Sequence, residues 1–519
     1  MKRVLSLRSA ARRGVAVGAV TALLAAGCSD AGETGTEPRA SDAQSTRGTD
    51  AQGTGGIKPL QVQRVELASG PARLELLSLG RTDGGRVAAH LRLTTETETG
   101  RHFRRALEYQ SSGEYDIGGI ALVDVVGNKL YFPLRTTTGE CLCTTVPREL
   151  PAGGSLDLHA VYPAPPEEVA RVTIWAPRTT PFHDVELAAG QVAPVPTLTV
   201  DPSTAELAAP TIRSLLNNAE GLEQSTDEEG ENRRIRISAD VLFEIDKANL
   251  GPEAQRILKG VAKEIDASSD EAVEVDGYTD NTGTNRHNKD LSERRAESVV
   301  NALKGLVTRS GVTFRAEGHG EDDPVASNEA EEGRRLNRRV AVSFTRPTPT
   351  RPSAPPAASG SGAFTWSDSL PVIGTLRPRA EAGAGDVAKR VENLQYDINA
   401  LHRDSTGSVS LVWTVTNKGT EEMNLSIDFK EHLTSRYEGG GTGGVMLVDP
   451  AAKVRYGPLR DDEDVCLCFH GLISGNYILD PGEQAVYSGL YKLPEDVTAI
   501  DVQIPFYSSS HTIPGLKIG

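Results

Sequence analysis

The 519-residue sequence predicts a multidomain protein: a central α+β domain set between two copies of one all-β module. Three observations predict it. First, the two ends of the chain align without gaps at an offset of 325. GGIALVD at Gly118 to Asp124 meets GGVMLVD at Gly443 to Asp449; Tyr131, Pro133, Leu134 and Arg135 meet Tyr456, Pro458, Leu459 and Arg460; and Cys141-Leu142-Cys143 meets Cys466-Leu467-Cys468. Second, apolar positions in the stretch between them switch repeatedly from the period of a strand to the period of a helix. Third, segments with few large apolar residues separate the blocks, and such segments bury too little to fold.

The N-terminus sets the compartment. Residues 1–27 carry a basic start and an apolar run from Val15 to Ala26, too short to span a bilayer and built like a secretory signal. The junction LLAAGC resembles the lipobox of bacterial lipoproteins, which implies lipidation of Cys28; Ala25 departs from the Leu usual in that family. Arg12 and Arg13 fit twin-arginine export, but GVAVGAV lacks that motif's aromatic residue, so the export route stays open. Cleavage before Cys28 removes Lys2, Arg3, Arg8, Arg12 and Arg13 and takes the formal charge from −16 to −21, a surface that repels nucleic acid and anionic headgroups. Of five cysteines, lipidation of Cys28 leaves four, an even number suited to an oxidising compartment. Residues 28–60 read as a flexible tether.

Residues 61–193 and 387–519 are the two copies. Short alternating runs such as RVAAHLRL and SVSLVWTV, divided by Gly, Asn and Asp turns, predict all-β sandwiches of immunoglobulin-like type. With small shifts the match extends to RVE at Arg64 and Arg390 and to Tyr162 and Tyr491. Each C-L-C raises a geometric question, because residues i and i+2 of an extended strand lie about 6.5 Å apart, at the limit for a disulfide. An internal Cys141–Cys143 or Cys466–Cys468 bond therefore requires a bend. A rigid clip, an exchangeable redox bond, a link between the copies and a four-thiolate zinc site all remain open, His470 alone standing near the second pair.

Two seams remain. Residues 194–232 read as a linker with a short helix near Thr211 to Glu220 and the acidic run STDEEGEN, and residues 346–386, with RPTPTRPSAPP at their start, as a stiff Pro-rich linker.

The central block, 233–345, reads β-α-β-α-β-β, a mixed sheet with helices on one face. Its helix NKDLSERRAESVVNAL places Leu291, Ala296, Val299, Val300, Leu303, Leu306 and Val307 on one arc, with the always-charged Arg295 inside that arc. Arg294 points away, into water, as Arg334 and Arg335 are expected to do.

The spacing of Asn288, Leu291, Ser292, Arg295, Ala296, Val299 and Leu303, the turn GYTDNTG, and the later GHGEDDPVASN and GRRLNRRV together resemble the C-terminal peptidoglycan-binding domain of OmpA-like proteins, across roughly a fifth of the chain. Tyr278 stands where that family often has His. The resemblance implies that Asp280 and Arg295 bind diaminopimelate in the wall's stem peptides, Asp280 taking the ammonium and Arg295 the carboxylate, with Thr279, Asn288 and Arg338 supporting them. Chemistry agrees: a guanidinium fork suits a carboxylate, and a helix start favours an anion. The structural alternative is an Asx turn at Asp280 and an internal Asp280–Arg295 ion pair.

The resulting expectation is an exported, lipid-anchored protein facing the cell wall, not an enzyme, with peptidoglycan as partner and a protein partner or a spacing role for the β modules. The alternative is a thiol–disulfide protein acting through C-L-C. A stator subunit would need a membrane helix with an acidic residue, which the sequence lacks. Neither cofactor nor metal is expected: GGGTGG at Gly439 to Gly444 lacks the Lys-Ser or Lys-Thr of a phosphate loop, and the ten histidines show no metal spacing.

Overall fold

The computed structural model describes residues 57–67, 70–96, 107, 116–147, 149–188, 198, 200–201, 204–269, 271–347, 370–379, 391–424, 444–468, 478–506 and 509–519. The signal segment, Cys28, most of the tether, much of the Pro-rich segment, Gly439 to Gly443 and His470 lie outside the described residues.

In the first module, β1 (Gln61–Leu67), β2 (Gly70–Thr82) and β3 (Arg86–Thr95) precede β4 (Ala121–Asp124), β5 (Lys129–Tyr131), β6 (Ser155–Pro163), β7 (Arg171–Trp175) and β8 (Phe182–Glu186). One antiparallel sheet has the order β1-β2-β3-β6, while β4 pairs with β5 and β7, and β7 with β8. Alternation drives this: Leu74 and Leu76 on β2, Leu91 and Leu93 on β3, and Ile174 and Phe182 opposite share one buried core.

Next come β9 (Ile212–Gly221), β10 (Gln224–Glu229), β11 (Asn232–Ser238), α1 (Ala239–Leu242), α2 (Pro252–Ala267), β12 (Ala272–Gly277), α3 (Asn285–Leu306), β13 (Thr313–Gly318), α4 (Glu331–Asn337) and β14 (Arg339–Thr345). Their sheet runs β13-β12-β14-β11-β10-β9, with β12 and β13 parallel and β12–β14 and β11–β14 antiparallel. Ile235, Ile237, Val273, Val275, Val340 and Val342 are two apart on their strands and share one face, where they meet the buried sides of α2 and α3. A short helix absent from the expected β-α-β-α-β-β order precedes the last strand: RRLN ends α4, and the strand begins at Arg339.

The second module holds β15 (Gly374–Leu376), β16 (Leu394–Arg403), β17 (Ser408–Asn417), β18 (Met423–Asn424), β19 (Met446–Asp449), β20 (Val454–Tyr456), β21 (Arg460–Asp461), β22 (Ile478–Leu479), β23 (Gln484–Lys492), β24 (Ala499–Phe506) and β25 (Ser509–Lys517). Its sheet β15-β16-β17-β23 repeats β1-β2-β3-β6. The duplication reaches single bonds: Tyr162 Oη donates to the Ile120 carbonyl and Tyr491 Oη to that of Val445. Arg81 binds the carbonyls of Pro165, Pro166 and Val169, and Arg403 those of Leu493, Pro494 and Val497. Gly374–Leu376 falls inside the expected Pro-rich linker, yet it serves as the edge strand that β1 supplies in the first copy.

Each C-L-C closes on itself, Cys141 with Cys143 and Cys466 with Cys468, at a Cα separation of 5.1 Å in both. The required bend is thus present in both copies, and the link between copies and the zinc site fall away. The Asp116 carboxylate lies within 4.8 Å of Cys141 and Cys143, but sulfurs joined to each other do not ligate a metal. All four cysteines are buried.

The expected helix near Thr211 to Glu220 is a strand, and Ile212–Gly221 and Gln224–Glu229 of the expected linker are sheet. The stretch IRSLLNNAEG is a poor isolated helix, with two Asn and a Gly in ten residues. As β9 it is paired along both edges: with β10 on one side, and on the other with β5, β21 and β20. One strand therefore joins the central domain to both modules. Beside it the buried Glu228 accepts hydrogen bonds from Lys492 of the second module (2.7 Å), Arg233 of β11 (2.5 Å) and Asn128 of the first module (3.4 Å).

Candidate functional site

The long helix α3 reaches the sheet through glycines. A Cβ on Gly277 would lie 2.2 Å from the Ser292 carbonyl oxygen, and one on Gly318 2.2 Å from the Glu293 nitrogen, so only glycine lets α3 lie this close to β12 and β13. Thr284 caps the helix by accepting the His287 N–H. The buried side is Asn288, Leu291, Ser292, Arg295, Ala296, Val299, Val300 and Leu303, with Leu306 and Val307 packed against the core edge, the arc expected from periodicity.

Asp280 follows β12 in the turn before α3. Its Oδ1 accepts the Thr282 N–H at 2.8 Å, an Asx turn, and its Oδ2 accepts Arg338 Nη1 at 2.7 Å. Burial pushes its pKa up, but Arg338 and Thr282 outweigh burial and hold it below the ordinary aspartate value. Arg338 also donates to Asp240 through Nε (3.0 Å) and Nη2 (2.8 Å), and to Glu331 (2.8 Å). Hydrogen bonding to Asp240, then to Asp280 and Glu331, raises the Arg338 pKa further. Thr279 donates its N–H to the Gly320 carbonyl and its hydroxyl to the Asp280 carbonyl. Asn288 Nδ2 donates to the Asp280 carbonyl (3.3 Å) and to Glu321 (3.0 Å). Thr279, Asp280, Asn288 and Arg338 are thus one bonded network.

Arg295 stands apart from it. It is 5% exposed, its Nε donates to the Lys247 carbonyl at 3.0 Å, and its guanidinium carbon lies 5.2 Å from the centre of the Phe243 ring. Among the described residues it makes no ion pair, and its two terminal amino groups carry no hydrogen bond. The internal Asp280–Arg295 pair is not formed, because Arg338 takes that place at Asp280. Burial lowers the Arg295 pKa against the pull of Asp240, Asp246 and Asp280, which places this cation in the field of three carboxylates.

Phe243, Asp240, Asp246, Lys247 and Glu331 were not anticipated. The first four come from SADVLFEIDKANL, where Ile245 is 96% exposed and Asp246 has a left-handed φ of 55° and hydrogen-bonds His287 Nε2 at 2.7 Å. The signal was available: three acids, Asp240, Glu244 and Asp246, with an Ile between the last two, follow directly on a strand. Tyr278 is buried, its ring stacked on His319 at 4.8 Å and its hydroxyl accepting from Arg234. Arg339 lies over that ring at 3.7 Å. Arg294 is exposed, as expected, while Arg334 binds Glu331 and the Asn328 and Glu329 carbonyls. The buried Asn337 ties the loop before α4, bonding Val325, Ala326 and Asn328. A cleft of about 760 Å³ lies elsewhere, lined by Asp227, Glu274, Ser343, Arg460 and Asp462, where the central sheet meets the second module. Its mixed charges offer no single ligand chemistry, whereas Arg295 does.

No helix among the described residues is long and apolar enough to cross a membrane. Residues 242–338 match the model of the OmpA family. Outer membrane protein A of Bordetella avium is 38% identical over 112 residues, which are 21% of this chain and 56% of that protein, so the chain spans about half of that relative's length. The outer-membrane lipoprotein YfiB of Pseudomonas aeruginosa is 35% identical over 120 residues, 23% of this chain and 71% of that protein. The cell wall anchor of the T6SS from Pseudomonas aeruginosa covers 24% of this chain and 88% of its own, at 30% identity and a TM-score of 0.22. The glycine-seated helix and the turn before it fall within the matched residues, and through this central domain the chain belongs to the OmpA family.

Proposed function

We propose that this is a lipid-anchored cell-envelope protein that binds peptidoglycan non-covalently through the end of its diaminopimelate side chain, tying membrane to wall. The observation that carries this reading is Arg295: a buried guanidinium that, among the described residues, has no carboxylate partner and two unbonded amino groups, close enough to Asp240, Asp246 and Asp280 to feel their charge. A buried cation without a partner is costly. A ligand carboxylate supplies that partner in a bidentate geometry, and the ligand's ammonium, on the same carbon, docks against Asp280, whose oxygens keep free lone pairs beside Thr282 and Arg338. Thr279, Asn288 and Arg338 hold the turn in place. The relatives named as outer-membrane proteins and lipoproteins support an envelope location, and the sequence at Cys28 supports the anchor.

The outer modules are read as immunoglobulin-like spacers or partner-binding units. The thiol–disulfide alternative loses ground because exchange needs a sulfur within reach of an attacking thiolate, and all four are buried.

The test is co-sedimentation of the lipid-free protein with insoluble peptidoglycan. Wild type pellets, and folded Asp280→Ala and Arg295→Ala variants stay in solution. Equal pelleting of all three would remove the reading.

A further inference from the structure

Between α1 and α2 the chain makes a closed loop. An antiparallel bridge between Phe243 and Leu250 draws its neck together, and the Gly251 N–H donates to the Leu242 carbonyl at 2.8 Å. At the tip the Lys247 N–H donates to the Glu244 carbonyl at 3.0 Å, the bond of a four-residue turn. Asp246 is the third residue of that turn and has a φ of 55°, a position that favours Gly or Asn. An Asp is strained there where Gly is not, and its carboxylate is what reaches α3.

Neck and tip are held differently. Phe243 at the neck is buried in the core, whereas Ile245 at the tip is 96% exposed and anchors nothing. Two hydrogen bonds tie the tip to α3. Asp246 Oδ1 lies 2.7 Å from His287 Nε2 in the first turn of the helix, and because a carboxylate only accepts, the imidazole donates. The Lys247 carbonyl accepts Arg295 Nε at 3.0 Å, about two turns further on. Among the described residues, these are the hydrogen bonds that join residues 244–247 to the rest of the chain; Lys247 Nζ pairs with Glu244 inside the loop. A guanidinium is planar, so a carbonyl on Nε and the Phe243 ring beside it set the direction of the whole fork. The ring is fixed by the core. The carbonyl is fixed through its neighbour Asp246, and so through His287.

We propose that His287 is a positioning residue for Arg295: by holding Asp246 it fixes the loop tip whose Lys247 carbonyl aims the guanidinium at the ligand carboxylate. This rests on the peptidoglycan reading of Arg295 and adds to it how the fork is kept ready. His287 itself touches no ligand. A fork that is already aimed binds without first ordering the loop. The Asp246–His287 tie is exposed, and exposed pairs of this kind are weak, so losing it lowers affinity by about threefold to fivefold.

The lipid-free full chain is titrated with insoluble peptidoglycan, and the fraction sedimented gives an apparent Kd. His287→Phe, which keeps a ring and loses the donor, binds about threefold to fivefold more weakly than wild type. His287→Gln keeps an N–H donor and binds within about twofold of wild type. Asp246→Gly relieves the strained φ and removes the acceptor, so it binds as weakly as His287→Phe while thermal unfolding shows no loss of stability. The double variant is no weaker than either single one, since both remove the same bond. Wild-type binding by folded His287→Phe overturns the proposal. So does His287→Gln binding as weakly as His287→Phe, a double variant weakened by the product of the two single losses, or binding that falls only as far as the folded fraction falls. Wild type that does not pellet, or Arg295→Ala that pellets with it, overturns both the peptidoglycan reading and this one. Release of Arg295→Ala, with His287→Phe bound as wild type is, overturns the positioning role alone.

Discussion

Replacing Glu228 with Gln removes one charge at the place where three parts of the chain meet. The carboxylate is buried, and burial pushes its pKa up, yet Lys492 and Arg233 outweigh this and bring it from 4.5 down to about 2. A shift of about 2.5 pH units at about 1.36 kcal/mol each corresponds to about 3 kcal/mol, in line with the roughly 3–5 kcal/mol cost of breaking a buried ion pair. Burial lowers the Lys492 pKa as well, so part of the gain is offset by the cost of desolvating that ammonium. Because the folded-state pKa of Glu228 is depressed, its contribution is complete above about pH 4.5 and fades as pH falls toward 2. Urea unfolding followed by tryptophan fluorescence reads both modules, since Trp175 and Trp413 are buried one in each. At pH 7 the variant unfolds at lower urea, by about 3 kcal/mol, and near pH 2 the two curves converge. Equal midpoints at pH 7, or a gap that persists at pH 2, would show that Glu228 does not join the modules to the central sheet.

Other expectations concern the central domain. Arg295→Lys keeps the charge but loses the planar fork, and weakens peptidoglycan binding by about tenfold in the sedimentation assay, while Arg294→Ala binds as wild type does. Because Arg338 and the Thr282 amide hold Asp280 ionised below the ordinary aspartate value, binding persists through pH 5 and declines only below about pH 4; a midpoint near neutrality would point to a different anion. Gly277→Ala or Gly318→Ala drives a methyl into the α3 backbone, so circular dichroism reports loss of the helical signal. Asn337→Ala leaves the Val325 and Ala326 amides without their acceptor and lowers stability by about 2 kcal/mol or more, read by thermal unfolding.

Periodicity made the core of the central domain legible: the arc of α3, including the misplaced-looking Arg295, is buried as its spacing requires. The duplication was legible for a different reason, since identity in fixed register survives without any knowledge of geometry. Partnerships were not legible. Asp280 pairs with Arg338, 58 residues on, and nothing in the local pattern ranks Arg338 above Arg295 as its partner. The strand β9 was misread for a related reason. Its apolar content is low because its stability comes from main-chain bonds on both edges, and those neighbours lie far away in sequence. Gly374–Leu376 was lost inside a Pro-rich context, where composition speaks louder than three residues of edge pairing.

The double-edged β9 also dictates an order of events. Arg213 of this strand meets Asp461 across 248 residues of sequence, so one of its edges waits for nearly the whole chain. Contacts of such separation form slowly, since the intervening loop must close before they contribute. The central domain, whose strands β10 to β14 and helices are contiguous, needs no such wait. During biogenesis an early folded middle would therefore carry an open strand edge, beside the apolar face of Trp175 and Leu130, until the last module arrives to close it. A chain interrupted before residue 454 would keep its helices and still be prone to aggregate.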